Sequence, residues 1–127
     1  MKFLLDTHAF IWGCEDSDKL GYTAKKIINS LDEQKHISVA SIWEFAIKYS
    51  MGKLKFEGGL PRLYEIVSRY GLTILPITET HLANVIDLPF IHRDPFDRLL
   101  VATAKADDMT ILTADDYIRK YDVLWAW

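Results

Sequence analysis

Cysteine is almost missing from this chain: Cys14 stands alone among 127 residues. One thiol closes no intrachain disulfide and builds no thiolate metal site, so any metal has to be held by oxygen or imidazole. Long apolar runs are missing too. No stretch approaches the ~18 residues of a membrane span, and Met1-Lys2-Phe3-Leu4-Leu5 meets Asp6 too early for a signal peptide, so the expectation is a cytoplasmic protein with no membrane partner. Nor is there a basic excess. The net charge of −3 argues against a protein that coats nucleic acid by bulk attraction. It leaves a nuclease open, because an acidic metal site contributes negative charges that bound cations cancel. With only six glycines, the chain shows no glycine-rich phosphate loop, no Gly-x-Ser-x-Gly elbow and no His-x-x-x-His pair.

Apolar residues make up half of the chain, and 13% of it is aromatic. That is enough for a core, and the length predicts a single domain over residues 1–127. Lys2-Phe3-Leu4-Leu5 reads as a strand buried on both faces, ending at Asp6-Thr7. His8 to Trp12 forms a brief helix, and Thr23 caps another with Ala24, Ile27, Ile28 and Leu31 as its stripe. His36-Ile37-Ser38-Val39 is a second strand. Ser41-Ile42-Trp43-Glu44 then matches a capping box, which makes Glu44 either a helix cap or a ligand. Met51 to Gly59 is a locally basic connection. Leu60-Pro61 opens a helix that Gly71 ends, Leu72 to Pro76 is a third strand, and Thr78 caps a short helix.

In the following helix, Asp94 is the N-cap, Pro95 takes the first position, and Phe96, Leu99, Leu100 and Thr103 mark the buried face. Asp97 shares the helix start with Asp94, where both acids complement the dipole. Met109 to Leu112 is a fourth strand leading to Thr113-Ala114-Asp115-Asp116, and Val123-Leu124-Trp125 is a last, edge strand. Strands alternating with helices predict an α/β fold with a parallel sheet between helices. Ligands of such sheets collect at the carboxyl ends of the strands. Asp6 and Asp115 follow strands directly, while Glu44 and Asp97 lie in helices starting at the same edge. Convergent carboxylates repel one another unless cations compensate, and oxygen donors favour Mg²⁺ or Mn²⁺. His8, His36, His81 and His92 are scattered and read as packing or surface residues. Metal-assisted attack of water on a phosphodiester is the chemistry that fits best.

Leu4-Leu5-Asp6-Thr7, Ala40-Ser41-Ile42-Trp43-Glu44, Asp94-Pro95-Phe96-Asp97-Arg98-Leu99-Leu100 and Thr113-Ala114-Asp115, in this order and spacing, resemble the PIN-domain ribonucleases found as toxins of VapBC toxin–antitoxin pairs. The resemblance implies a PIN-like three-layer α/β/α sandwich with a small parallel sheet. It also implies Asp6, Glu44, Asp97 and Asp115 as a catalytic quartet around Mg²⁺ or Mn²⁺. Asp94 is then a cap first and an auxiliary ligand second, Asp116 competes with Asp115 for the fourth place, and Thr7 and Thr113 support the acids by hydrogen bonding. The partners it implies are an RNA substrate, an inhibiting antitoxin and a second copy of the chain in a homodimer. Arg93, Arg98, Lys48, Lys53 and Lys55 are candidates for phosphate or partner contact, or ordinary solvated charges. Two rivals remain. One is a receiver-like Mg²⁺-binding signalling domain, which a single acid after the first strand disfavours. The other is a non-catalytic interaction module whose acids only cap helices, and which should bind no manganese.

Overall fold

The computed structural model describes all of residues 1–127. Its elements, in chain order, are β1 (Lys2–Leu5), α1 (Thr7–Cys14), α2 (Tyr22–Asn29), β2 (Gln34–Ser38), α3 (Val39–Ser50), α4 (Gly59–Arg69), β3 (Leu72–Leu75), α5 (Glu79–Asp87), α6 (Pro95–Asp107), β4 (Thr110–Leu112), a 3₁₀ turn (Ile118–Lys120) and β5 (Trp125–Ala126). The five strands form one sheet in the order β3-β2-β1-β4-β5, and every pair is parallel. β1 lies at the centre because Phe3, Leu4 and Leu5 are all buried, as a strand covered on both faces requires.

Alternation along the strands divides the core in two. Phe3 and Leu5 of β1 and Leu112 of β4 pack with Phe10, Ile28, Phe45, Leu63 and Ile66 from α1 to α4. Leu4 and Ile111 face the other way, onto Leu100, Val101 and Ala104 of α6 together with Ile118 and Tyr121. The expected α/β sandwich is therefore present. Within it, Lys35 of β2 is 2% exposed and donates from Nζ to the Ile28 carbonyl at 2.6 Å, covering an open end of α2.

Register brings the carboxyl ends of β1, β2 and β4 level. Leu5 lies beside Ile37 on one side and Leu112 on the other, and the Asp6 amide donates to the Leu112 carbonyl at 3.2 Å. Residues just beyond these strands therefore meet.

Several local expectations hold and several need correction. Thr78 caps α5 in a capping box with His81, Asp94 caps α6 with Pro95 in its first turn, and Gly71, at φ 67°, turns the chain after α4. Thr23, by contrast, is not a cap, because α2 begins at Tyr22 after Gly21. Ser41 caps nothing either. β2 ends at Ser38, whose hydroxyl accepts from the Ala40 amide, and α3 starts at Val39. The Ser41 hydroxyl is buried without a partner beside an apolar cavity of about 10 Å³, about the size of one water. The last strand is Trp125–Ala126 rather than Val123 to Trp125, and it does lie at the sheet edge.

Arg98 is not a surface cation. It is 7% exposed, donates to the carbonyls of Pro89 (3.1 Å) and Val85 (3.2 Å) and to the Tyr121 hydroxyl (3.1 Å), and stacks 4.2 Å from the Phe90 ring centre. Methionine matches the volume but donates nothing, so three hydrogen bonds to buried or half-buried acceptors are lost, although each acceptor keeps a backbone amide donor. Arg98→Met is therefore expected to destabilise the fold by about 2–3 kcal/mol in urea melts. A loss below about 0.5 kcal/mol, the range of ordinary surface changes, would contradict this role.

Candidate metal centre

The level strand ends deliver the acids to one place. Asp6 closes β1 and caps α1, its Oδ1 accepting from the Ala9 amide at 2.7 Å. It is 3% exposed. Burial pushes its carboxyl above the ordinary range, and the Asp115 charge adds to this, while hydrogen bonds from Thr113 and the Ala9 amide oppose it. Thr7, the next residue, donates its hydroxyl to Glu44 Oε1 at 2.7 Å. Lys48, one helical turn after Glu44, donates to Oε2 at 2.8 Å. Glu44 is thus a buried carboxylate on the second turn of α3, held from two sides, and not the helix cap that the Ser41-to-Glu44 spacing allowed.

Asp97 lies in the first turn of α6, its amide donating to the Asp94 cap at 3.0 Å. Its carboxyl is pushed up to about 8, first by burial and then by the charges of Asp94, Glu44, Asp115 and Asp6. Four acids, from the β1–α1 junction, α3 and the loops before α6 and after β4, therefore act on a fifth. Asp115 is fixed by its own turn: Oδ1 accepts from the amides of Tyr117 (2.8 Å) and Ile118 (3.0 Å), and its amide donates to the Thr113 hydroxyl at 3.0 Å. Asp116 is exposed and makes none of these contacts, so Asp115 is the acid turned toward the cluster. Asp94 has one oxygen occupied by its helix and adds charge to the group.

One member is not visible in the sequence pattern. His92 Nε2 is 3.0 Å from Asp97 Oδ2 and 3.4 Å from Asp115 Oδ2, and the three side chains could together hold a cation. Both distances are short, yet the ring N–H aligns with neither oxygen, and Nε2 has no hydrogen-bond partner. The only cue available in the sequence is its place two residues before the Asp94 cap. The other cations divide clearly. Lys48 is committed to Glu44 and Arg98 to the fold, while Arg93, Lys53 and Lys55 are not held by any acid of the cluster.

The donor set suits a hard divalent cation: several carboxylate oxygens, no thiolate, and repulsion that a cation would relieve. Because Thr7 aims Glu44, Thr7→Val should leave Glu44 misdirected. Its Mn²⁺ affinity, read by calorimetry, is expected to fall about 10–100-fold. Unchanged affinity would contradict this role for Thr7 and leave the orientation of Glu44 to Lys48.

No curated protein matches the chain in sequence. Solved structures of similar fold do. Among them are VapBC2 of Rickettsia felis bound to a promoter DNA fragment (TM-score 0.72, 14% identity, 99% of this chain and 98% of that one) and a toxin–antitoxin complex of Klebsiella pneumoniae (TM-score 0.70, 16% identity, 99% and 97%). FitAcB of Neisseria gonorrhoeae is another (TM-score 0.64, 20% identity, 97% and 95%). At these identities the likeness establishes the fold. The sequence itself matches the PIN-domain family model over residues 3–124, from β1 to the approach of β5, and the chain therefore belongs to the PIN-domain family.

Proposed function

We propose that this chain is a divalent-cation-dependent endoribonuclease and the toxin of a toxin–antitoxin pair, of the VapC kind. The observation that carries the reading is Asp97, a carboxylate inside a ring of four others with its carboxyl pushed up to about 8. A protein gains no stability from such repulsion, whereas a cation site needs it. Asp6, Glu44, Asp97 and Asp115 would hold Mg²⁺ or Mn²⁺, with Asp94 contributing charge from its cap. A cation bound there supplies Lewis acidity toward a phosphodiester and a more acidic water.

The chain's own residues do the rest. Thr7 and Lys48 orient Glu44, the Ala9 amide holds Asp6, and the Thr113 hydroxyl with the amides of Tyr117 and Ile118 fixes Asp115. An open cleft lined by Phe90, Ile91, His92, Arg93, Asp94 and Tyr117 adjoins the acids and offers aromatic faces and a cation to a single strand.

The structural relatives that are toxin–antitoxin complexes support an antitoxin partner, and a homodimer accompanies the same reading. An acidic cluster attracts any cation, so the antitoxin is expected to inhibit by placing an arginine fork among the carboxylates. The site of action would be the cytoplasm. No helix is long and apolar enough to cross a membrane.

The test is cleavage of single-stranded RNA by purified protein in Mg²⁺ or Mn²⁺, with and without chelator. Cleavage that chelator abolishes and metal restores supports the proposal. Full cleavage in chelator, with contaminating nuclease excluded, would overturn it.

A further inference from the structure

We propose that His92 donates a hydrogen bond from Nε2 to a phosphate oxygen of RNA at the acid cluster, and that it is not a ligand of the cation. The inference rests on the ribonuclease reading above. It begins at the other ring nitrogen: the Asp94 amide donates to His92 Nδ1 at 3.2 Å. An Nδ1 that accepts carries no proton, so the proton of the neutral ring sits on Nε2. Imidazoles that ligate metals through Nε2 show the opposite pattern, with Nδ1–H donating to a carboxylate or carbonyl. His92 faces a donor there, so its Nε2 presents hydrogen where a ligand presents a lone pair.

The N–H lacks an acceptor in the protein. Nε2 is buried, the nearest carboxylate oxygens are 3.0 and 3.4 Å away, and neither lies in line. A buried donor without a partner costs stability unless a ligand fills the gap. The ring lines the cleft beside the acids, next to Arg93 and tilted at 41° against the Tyr117 ring, 5.1 Å between centroids. The cleft runs from Arg93 and Tyr117 to the ring and Asp94, and a phosphate oxygen that reaches the carboxylates from it would meet the ring.

The ring is also held in place, as a donor of fixed aim must be. The Tyr121 hydroxyl accepts from the amides of Ile91 (3.2 Å) and His92 (2.8 Å), and Arg98 secures both Tyr121 and the Pro89 carbonyl. The segment before α6 is therefore anchored at Pro89, at Ile91 and at His92 itself.

Two measurements test the assignment. The first is ¹⁵N NMR of the His92 ring, without metal and in Mg²⁺. The proton is expected on Nε2 in both, and its transfer to Nδ1 in Mg²⁺ would overturn the proposal. The second compares parent, His92→Ala and His92→Gln, whose amide can still donate. RNA affinity is read by anisotropy of a labelled single-stranded oligonucleotide in Ca²⁺, and Mn²⁺ affinity by calorimetry. His92→Ala is expected to weaken RNA binding about tenfold or more, with glutamine recovering most of it. Mn²⁺ affinity is expected to change less than the roughly 10–100-fold seen when metal support is lost. Loss of Mn²⁺ affinity in His92→Ala would make the residue part of the cation site and refute the proposal. Unchanged RNA binding by His92→Ala removes His92 while the ribonuclease reading stands. A parent that binds Mn²⁺ but no RNA defeats both.

Discussion

Asp97→Asn is expected to abolish metal-dependent RNA cleavage while leaving the metal-free protein at least as stable as the parent. Asparagine keeps the size of aspartate and much of its hydrogen-bonding capacity, so packing around the start of α6 changes little. Its own amide N–H still meets the Asp94 cap. What disappears is a carboxyl on which Asp94, Glu44, Asp115 and Asp6 all act, and which on folding must either carry its charge among theirs or take up a proton. That cost belongs to the folded state far more than to the extended chain.

Metal inverts the order of stability. The parent gains RT ln(1 + [L]/Kd), about 2.7 kcal/mol at a hundredfold excess over Kd, and the variant gains less. Losing a direct ligand should lower activity by more than the roughly 10–100-fold that outer-shell changes cost. If Asp97 only complemented the helix dipole, its neutralisation would cost about 0.3–1 kcal/mol with or without metal. Thermal melts of both proteins in chelator and in Mn²⁺ separate the accounts, and an equal deficit in both buffers would refute the metal centre.

The second large effect is the pH dependence of the metal-free fold. Asp97 titrates near its ordinary value of 3.8 in the unfolded chain and at about 8 in the folded one. Between these values the folded state binds the extra proton, so stability from this group is complete below about pH 4 and is lost as pH rises through 8. Asp6 is raised as well and acts in the same direction. Between pH 5 and pH 8 the metal-free parent should lose on the order of a few kcal/mol relative to Asp97→Asn, because a tenfold difference in proton affinity is worth about 1.4 kcal/mol. Mn²⁺ should reverse the trend, because the cation competes with the proton and binds better as pH rises. The check is the difference in melting temperature between parent and variant across this range in chelator, which subtracts the histidines common to both. A difference that stays constant with pH would mean that the Asp97 carboxyl is not raised.

What a sequence discloses, and what it hides, follows the range of the interactions. Asp6 and Asp115 are legible because each follows a short apolar strand, and parallel strands in register put their ends side by side. The cap of α6 is legible because Asp94-Pro95 is a local signal. Glu44 is ambiguous for the same local reason: Ser41-x-x-Glu44 satisfies a capping-box spacing, but Ser38 lies at the end of β2 and caps first. Once the helix begins there, Glu44 turns inward to Thr7, thirty-seven residues away in sequence.

Arg98 and His92 stay hidden because their partners are remote. Tyr121 reaches back 23 residues to Arg98 and 29 to the His92 amide, and no helical or strand period connects them. Without that anchor His92 is one scattered histidine among four. With it the ring stands against Asp97 and Asp115. The choice between Asp115 and Asp116 is equally closed to pattern reading, since it turns on which carboxylate accepts the amides of the following turn.

The central claim is that these carboxylates form a cation site, and anomalous scattering from crystals grown in Mn²⁺ tests it most directly. The account predicts a manganese peak bounded by Asp6, Glu44, Asp97 and Asp115, absent from crystals of Asp97→Asn under the same conditions. Crystals of the parent in saturating Mn²⁺ with no peak among these four residues would contradict it.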